Sequence, residues 1–141
     1  MTTQITIEDY WMGRDKSYPD DLTDTTRANA TDTVSKINLL LFHAVKDGVV
    51  LISSNKRSLV NSGWRPPAVN SATKKAAAKS RHMTGQACDI SDPTGKFGKW
   101  CLANLDELEA IGLWMEAKEA TPSWVHLQTI PPGSGKRVFH P

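Results

Sequence analysis

The run from Thr25 to Lys46 most constrains what this chain can fold into. Apolar residues at Ala30, Val34, Ile37, Leu41 and Val45 recur at three- and four-residue steps, which predicts a long helix with one apolar face, ended by Gly48. Such a face must be covered, and the rest of the chain offers mostly short extended runs to cover it. Val49–Ser53 is β-branched, Ser62–Arg65 is held away from helix by Pro66 and Pro67, and Ala87–Ser91 is closed by Asp92-Pro93-Thr94-Gly95. Leu113–Ala117 and Trp124–Ile130 read as a hairpin, joined through a loop that contains Pro122.

Two further helices complete the pattern. Thr6 caps a short one that Gly13 ends, and Phe97, Trp100, Cys101, Leu105, Leu108 and Ile111 form a second amphipathic face stopped by Gly112. Arg14–Asp24 reads as a loop, Ser71–Lys79 as a helix or a mobile basic loop, and the tail from Pro131 as turns. No repeat, low-complexity tract or linker divides the chain. Helices and strands mix without regular alternation, so the expected fold is α+β: one domain over residues 1–141, a small antiparallel sheet packed with helices.

Seventeen basic against fifteen acidic residues leave a net charge of +2, too balanced for general nucleic-acid or membrane electrostatics. No apolar run approaches the length of a membrane span. Cys88 and Cys101 fall short of a disulfide framework and read as reduced. Met1 to Asp9 shows no basic and apolar leader, which predicts synthesis in the cytoplasm without an export signal.

The chemistry concentrates in Ser80-Arg81-His82-Met83-Thr84-Gly85-Gln86-Ala87-Cys88-Asp89 and, far downstream, Trp124-Val125-His126. Two histidines and a carboxylate are a common ligand set for a catalytic zinc, which keeps a fourth position open. His82 precedes a tight turn that Gly85 permits, Asp89 lies on the strand after it, and His126 arrives from a neighbouring strand. Zn2+ is therefore the expected cofactor, with His82, Asp89 and His126 as ligands.

The pattern S-x-H-x-x-G-x-A-x-D with a later W-x-H resembles the zinc peptidases of the D-Ala-D-Ala carboxypeptidase and L-alanyl-D-glutamate endopeptidase type. Their fold is shared with the Hedgehog signalling domain. Ser80, His82, Gly85, Ala87 and Asp89 match the first motif, Trp124 and His126 the second, and the resemblance runs from Leu51 to Gln128. It implies the same three ligands, a substrate-binding Arg65 whose guanidinium suits a peptide carboxylate or a developing oxyanion, and a Ser80 that orients the metal loop. It also implies a phage or prophage lysis enzyme that hydrolyses amide bonds in peptidoglycan peptide stems. Such an enzyme works as a monomer, with no nucleic-acid partner and no membrane insertion. It reaches the wall, on the periplasmic or extracellular side, through a separately made pore or on a virion.

One departure matters. Many relatives carry a catalytic carboxylate three residues before the last zinc histidine, where this chain has Ser123, and a serine cannot act as that base. Glu116, at the end of the preceding strand, and Glu119, in the hairpin loop, are the nearest acidic candidates, and strand pairing favours Glu116. The same departure motivates an alternative, a catalytically inactive metal-binding module that binds the wall or builds a virion. A third reading makes Lys74, Lys75, Lys79 and Arg81 a nucleic-acid patch rather than a solvated face.

Elsewhere the ordinary structural reading prevails. His43 and His140 have no ligand pattern nearby, Trp64, Trp100, Trp114 and Trp124 suit a core, and Cys88 alternates to the strand face opposite Asp89. Gly133-Ser134-Gly135-Lys136 lacks the spacing and the following helix of a phosphate loop.

Overall fold

A computed structural model of the chain describes residues 3–74 and 76–141. Met1, Thr2 and Lys75 lie outside the described residues, and with them the start of the N-terminal segment and one residue of the basic stretch. The order is α1 (Ile7–Trp11), α2 (Arg14–Ser17), α3 (Asp24–Lys46), β1 (Val60–Ser62), α4 (Pro67–Ala72), β2 (Ala87–Ser91), α5 (Lys96–Ala103), α6 (Leu105–Ile111), β3 (Trp114–Glu116), β4 (Trp124–Gln128) and β5 (Val138–Phe139). The fold is α+β. Among the described residues no helix is long and apolar enough to cross a membrane.

The long helix α3 begins where the Thr23 side chain accepts a hydrogen bond from the Thr26 N–H. Its buried stripe is Thr26, Ala30, Thr33, Ile37, Leu40, Leu41 and Ala44, while Val34 and Val45 are only half-buried. The stripe is thus turned slightly from the predicted one. The reason is polar: Thr33 is fully buried because its hydroxyl donates to the carbonyl of Gly85 at 2.7 Å.

The five strands form one sheet in the order β1-β2-β4-β3-β5. β2 and β4 run antiparallel with Asp89 opposite His126 and Cys88 opposite Leu127. Strand alternation therefore sends Cys88, Ile90, Val125 and Leu127 to one face, and Asp89, Trp124, His126 and Gln128 to the other. The first set joins Ile37, Leu40, Leu41, Phe97, Cys101 and Leu108 in the apolar core. Full burial of one such leucine contributes about 1.5–3 kcal/mol. The opposite face is left for chemistry.

Several predicted boundaries shift. Val49–Ser53 is not a strand: the Val49 N–H closes α3 on the Ala44 carbonyl, Val50 and Ile52 are exposed, and the segment pairs with nothing. β propensity without a partner strand does not make one. The extended segment near Ser62–Arg65 pairs only over Val60–Ser62, because the N–H groups of Trp64 and Arg65 donate instead to the carbonyls of Tyr10 and His82. The helix predicted as continuous through Phe97–Ile111 breaks at Asn104, whose side chain donates to the Trp100 carbonyl at 2.8 Å. Arg14–Asp24 contains α2 and one 3-10 turn over Pro19–Asp21, rather than plain loop.

The sheet is also mixed rather than purely antiparallel. β5, inside the turn-rich tail, runs parallel to β3, with the Met115 and Ala117 N–H groups donating to the carbonyls of Arg137 and Phe139. Two residues among Pro and Gly carry no periodic signal, so this strand is not readable from sequence.

Candidate metal centre

The loop before β2 brings the first candidate ligand. Gly85, at φ +77°, makes the turn, and its missing side chain lets the backbone lie against α3, where a Cβ would stand 2.8 Å from the Thr26 carbonyl oxygen. Asn29 fastens the same turn by donating to the Thr84 carbonyl at 3.0 Å. His82, 1% exposed, projects from this loop toward the sheet face that carries Asp89 and His126.

The three residues converge as the sequence predicts, with one candidate ligand atom from each lying within 4.8 Å of the others. Asp89 Oδ1 is 3.3 Å from His82 Nε2 and 2.9 Å from His126 Nδ1. Two atoms each bound at about 2.0–2.1 Å to a tetrahedral ion stand about 3.3 Å apart, so small inward or outward shifts suffice to hold one. His82 Nε2 is buried with no hydrogen-bond partner, while its Nδ1 lies 2.8 Å from the Gly63 carbonyl oxygen. The carbonyl can only accept, so Nδ1 carries the proton and Nε2 directs a lone pair at the cluster. A buried nitrogen lone pair beside a carboxylate and a second imidazole fits a metal ion. This group could hold one.

The electrostatics agree. Burial alone would raise the pKa of the Asp89 carboxyl, but the imidazoles beside it, with His126 hydrogen-bonded to its Oδ1, hold it well below the usual carboxylate range. Burial pushes His82 down, keeping it neutral. Burial also acts to lower His126, but the hydrogen bond and charge of Asp89, with the charge of Glu116, outweigh it and raise this histidine. Without a metal, a proton on His126 therefore compensates the buried carboxylate, and a metal ion would displace it.

The neighbouring residues are arranged around this group. Ser80 Oγ accepts from the His82 N–H at 3.2 Å and from Arg65 Nη2 at 3.3 Å, tying the ligand loop to the guanidinium. Burial lowers the pKa of Arg65, opposed by the nearby charges of Asp89 and Glu116, and its Nε has no partner. On β3, Trp114 faces Gln128 and Met115 faces Leu127, so continuing the register by one residue sets Glu116 opposite His126. Glu116 is half-buried and its charge acts on both Arg65 and His126. Glu119 is exposed in the turn that follows, and Ser123 is exposed with its carbonyl accepting the Asp92 N–H.

Two contributors escaped the sequence reading. The Gly63 carbonyl has no side-chain signature. Gln128 stands two residues after His126 on the same strand face, a spacing that alternation could have flagged, with Oε1 2.9 Å from His126 Nε2.

The remaining residues of interest lie elsewhere. Cys88 is buried on the core face, His43 sits 3.8 Å from Glu107, and His140 is exposed. Trp64 is core, whereas Trp100, Trp114 and Trp124 are half-buried, with the Arg137 guanidinium 4.4 Å above Trp114. Lys74, Lys79 and Arg81 are exposed. Two shallow cavities of about 200 and 170 Å³ beside Arg57 and Ser58 include none of the three ligand residues. No protein-family model, curated protein or solved structure matches the chain.

Proposed function

We propose that this chain is a zinc peptidase of the D-Ala-D-Ala carboxypeptidase and L-alanyl-D-glutamate endopeptidase type, with the fold of that group, cutting amide bonds in peptidoglycan peptide stems. The observation that carries the reading is a single cluster. His82, Asp89 and His126 offer three ligand atoms within 4.8 Å, and the charges of Arg65 and Glu116 act on that same group. A guanidinium and a carboxylate at the edge of the candidate metal group are what amide hydrolysis there would use.

His82 through Nε2, Asp89 through Oδ1 and His126 through Nδ1 would hold the ion. Zinc on such a set supplies Lewis acidity, acidifying water and polarising an amide carbonyl. Glu116 takes the proton from the attacking water and returns it to the leaving amine, a role open to a half-buried carboxylate and closed to Ser123. Arg65 pairs with a substrate carboxylate or with the oxygen that gains charge as the carbonyl is attacked. Ser80 holds Arg65 and the His82 backbone in one frame, so that substrate pairing and ligand position are coupled.

The proposed setting is a phage or prophage lysis enzyme acting on the wall, with the peptide stem as its partner. The test is digestion of purified peptidoglycan by the zinc-loaded protein, with and without a chelator, reading released fragments and new termini by mass spectrometry. Chelator-sensitive release of stem fragments is expected. One tightly bound metal per chain with no cleavage of walls of several chemotypes would overturn the peptidase reading in favour of the inactive binding module.

A further inference from the structure

Gln128 is 5% exposed and both ends of its amide are committed. Its Oε1 faces His126 Nε2 at 2.9 Å, and its Nε2 donates to the Ile130 carbonyl at 2.9 Å. Turning the amide over would set its oxygen against the Ile130 carbonyl oxygen, losing that bond and placing two acceptors in contact. The Ile130 carbonyl therefore fixes the amide, and the amide fixes the imidazole. With an acceptor oxygen against Nε2, that nitrogen must carry a proton, and the lone pair of the neutral ring is confined to Nδ1.

That nitrogen is the one on the cluster side, 2.9 Å from Asp89 Oδ1. We infer that Gln128 is a positioning residue for the metal centre: it selects the His126 tautomer that ligates through Nδ1 and locks the ring in plane. The two ligand imidazoles are thus set in opposite senses, His82 through Nε2 by the Gly63 carbonyl and His126 through Nδ1 by the Gln128 side chain. Outer partners of this kind raise the basicity of the ligand and remove the entropy of ring rotation before the ion arrives. The inference rests on the three-residue metal site and not on the peptidase reading.

Zn2+ affinity, measured by competition with a chelator of known strength, tests it on the full chain. Gln128→Leu keeps the volume and removes the acceptor, and an affinity loss of about 10- to 100-fold is expected. Gln128→Glu keeps an acceptor oxygen for Nε2 but loses the bond to the Ile130 carbonyl, so it should bind Zn2+ more tightly than Gln128→Leu, a partial rescue that a packing role alone would not give. In the zinc-loaded wild type, 15N resonances of the His126 ring should show a protonated Nε2 and a metal-bound Nδ1, and in Gln128→Leu this signature should broaden or divide. Thermal melting of the metal-free variants separates misfolding from the effect, and Gln128→Glu carries the test if the leucine variant does not fold. Wild-type Zn2+ affinity in Gln128→Leu, or a zinc-loaded His126 ligated through Nε2, overturns the inference while leaving the metal centre standing. Failure of the wild type to bind Zn2+ overturns both.

Discussion

Gly63→Ala should be among the most damaging single substitutions in this chain, although it adds one methyl group. An added Cβ would stand 2.0 Å from the Tyr10 carbonyl oxygen and 2.8 Å from its carbon, whereas ordinary contact begins near 3.4 Å. Both sides of the contact are backbone, so the end of α1 and the strand exit must part by about 1.4 Å to relieve it. That movement breaks the Trp64 N–H bond to Tyr10 at 3.1 Å and strains the His82 Nδ1 bond to Gly63 at 2.8 Å. Trp64 and His82 are each 1% exposed, so water cannot replace the lost partners. Overpacking costs about 1–3 kcal/mol and the broken Trp64 bond about 1–3 kcal/mol more, which together give roughly 2–6 kcal/mol. Against a typical total of about 5–15 kcal/mol, that lowers Tm by roughly 6–20 °C for a domain of this size. Urea and thermal unfolding of the metal-free protein measure it, with Gly133→Ala, whose added Cβ meets nothing within 4 Å, as the neutral control. A Gly63→Ala protein within about 1 kcal/mol of wild type, binding Zn2+ as before, would refute the claim that this close approach supports His82.

Other predictions follow from separate features. Thr6→Ala removes a capping box in which Thr6 Oγ1 accepts the Asp9 N–H and Asp9 accepts the Thr6 N–H, and it should cost about 1 kcal/mol, read as a fall of about 3 °C in Tm. The folded state holds the Asp89 carboxyl below its unfolded value of about 3.9, so its stabilisation is present above that pH and is lost as pH falls beneath it. The stability difference between metal-free wild type and Asp89→Asn, from urea midpoints, should therefore narrow between about pH 4 and pH 2, and a constant difference would contradict the linkage. On the proposed function, Glu116→Gln should slow peptidoglycan cleavage by about 10²- to 10⁴-fold with zinc retained, while Glu119→Gln stays near wild type. Equal losses in the two variants would remove Glu116 from its assigned role.

How much of this was legible in the sequence depended on whether the signal was periodic, local or tertiary. The α3 helix, the strand Ala87–Ser91 and the hairpin all appear where periodicity and turn residues put them, because each covers several residues with one repeating pattern. The three candidate ligands were legible because two histidines and a carboxylate make a familiar ligand set, and His82 and Asp89 flank a turn glycine. Val49–Ser53 misled, since β-branched residues read as a strand whether or not they pair, and here the segment pairs with no strand. The break at Asn104 depended on one side chain competing for one carbonyl, and β5 on two residues finding the open edge of β3. The supports of the site were the hardest to see. A backbone carbonyl such as that of Gly63 has no residue type, and Thr33 looks like a polar interruption of an apolar face until its hydroxyl is found on Gly85.

The strand order carries a consequence for the way the chain is assembled. β4 occupies the middle of the sheet, between β2 and β3, yet it comes late in the chain. Until Trp124–Gln128 has emerged during synthesis, β2 has one open edge, β3 has no antiparallel partner, and the apolar face of α3 lacks part of its cover. Long-range pairing of this kind makes collapse slow relative to helix formation and leaves unpaired edges exposed meanwhile. The same five residues deliver His126 and Gln128, so neither the complete sheet nor the three-residue candidate metal group exists in a nascent chain that stops short of them. Until β4 has emerged, a growing polypeptide carries only His82 and Asp89 of the three candidate ligands.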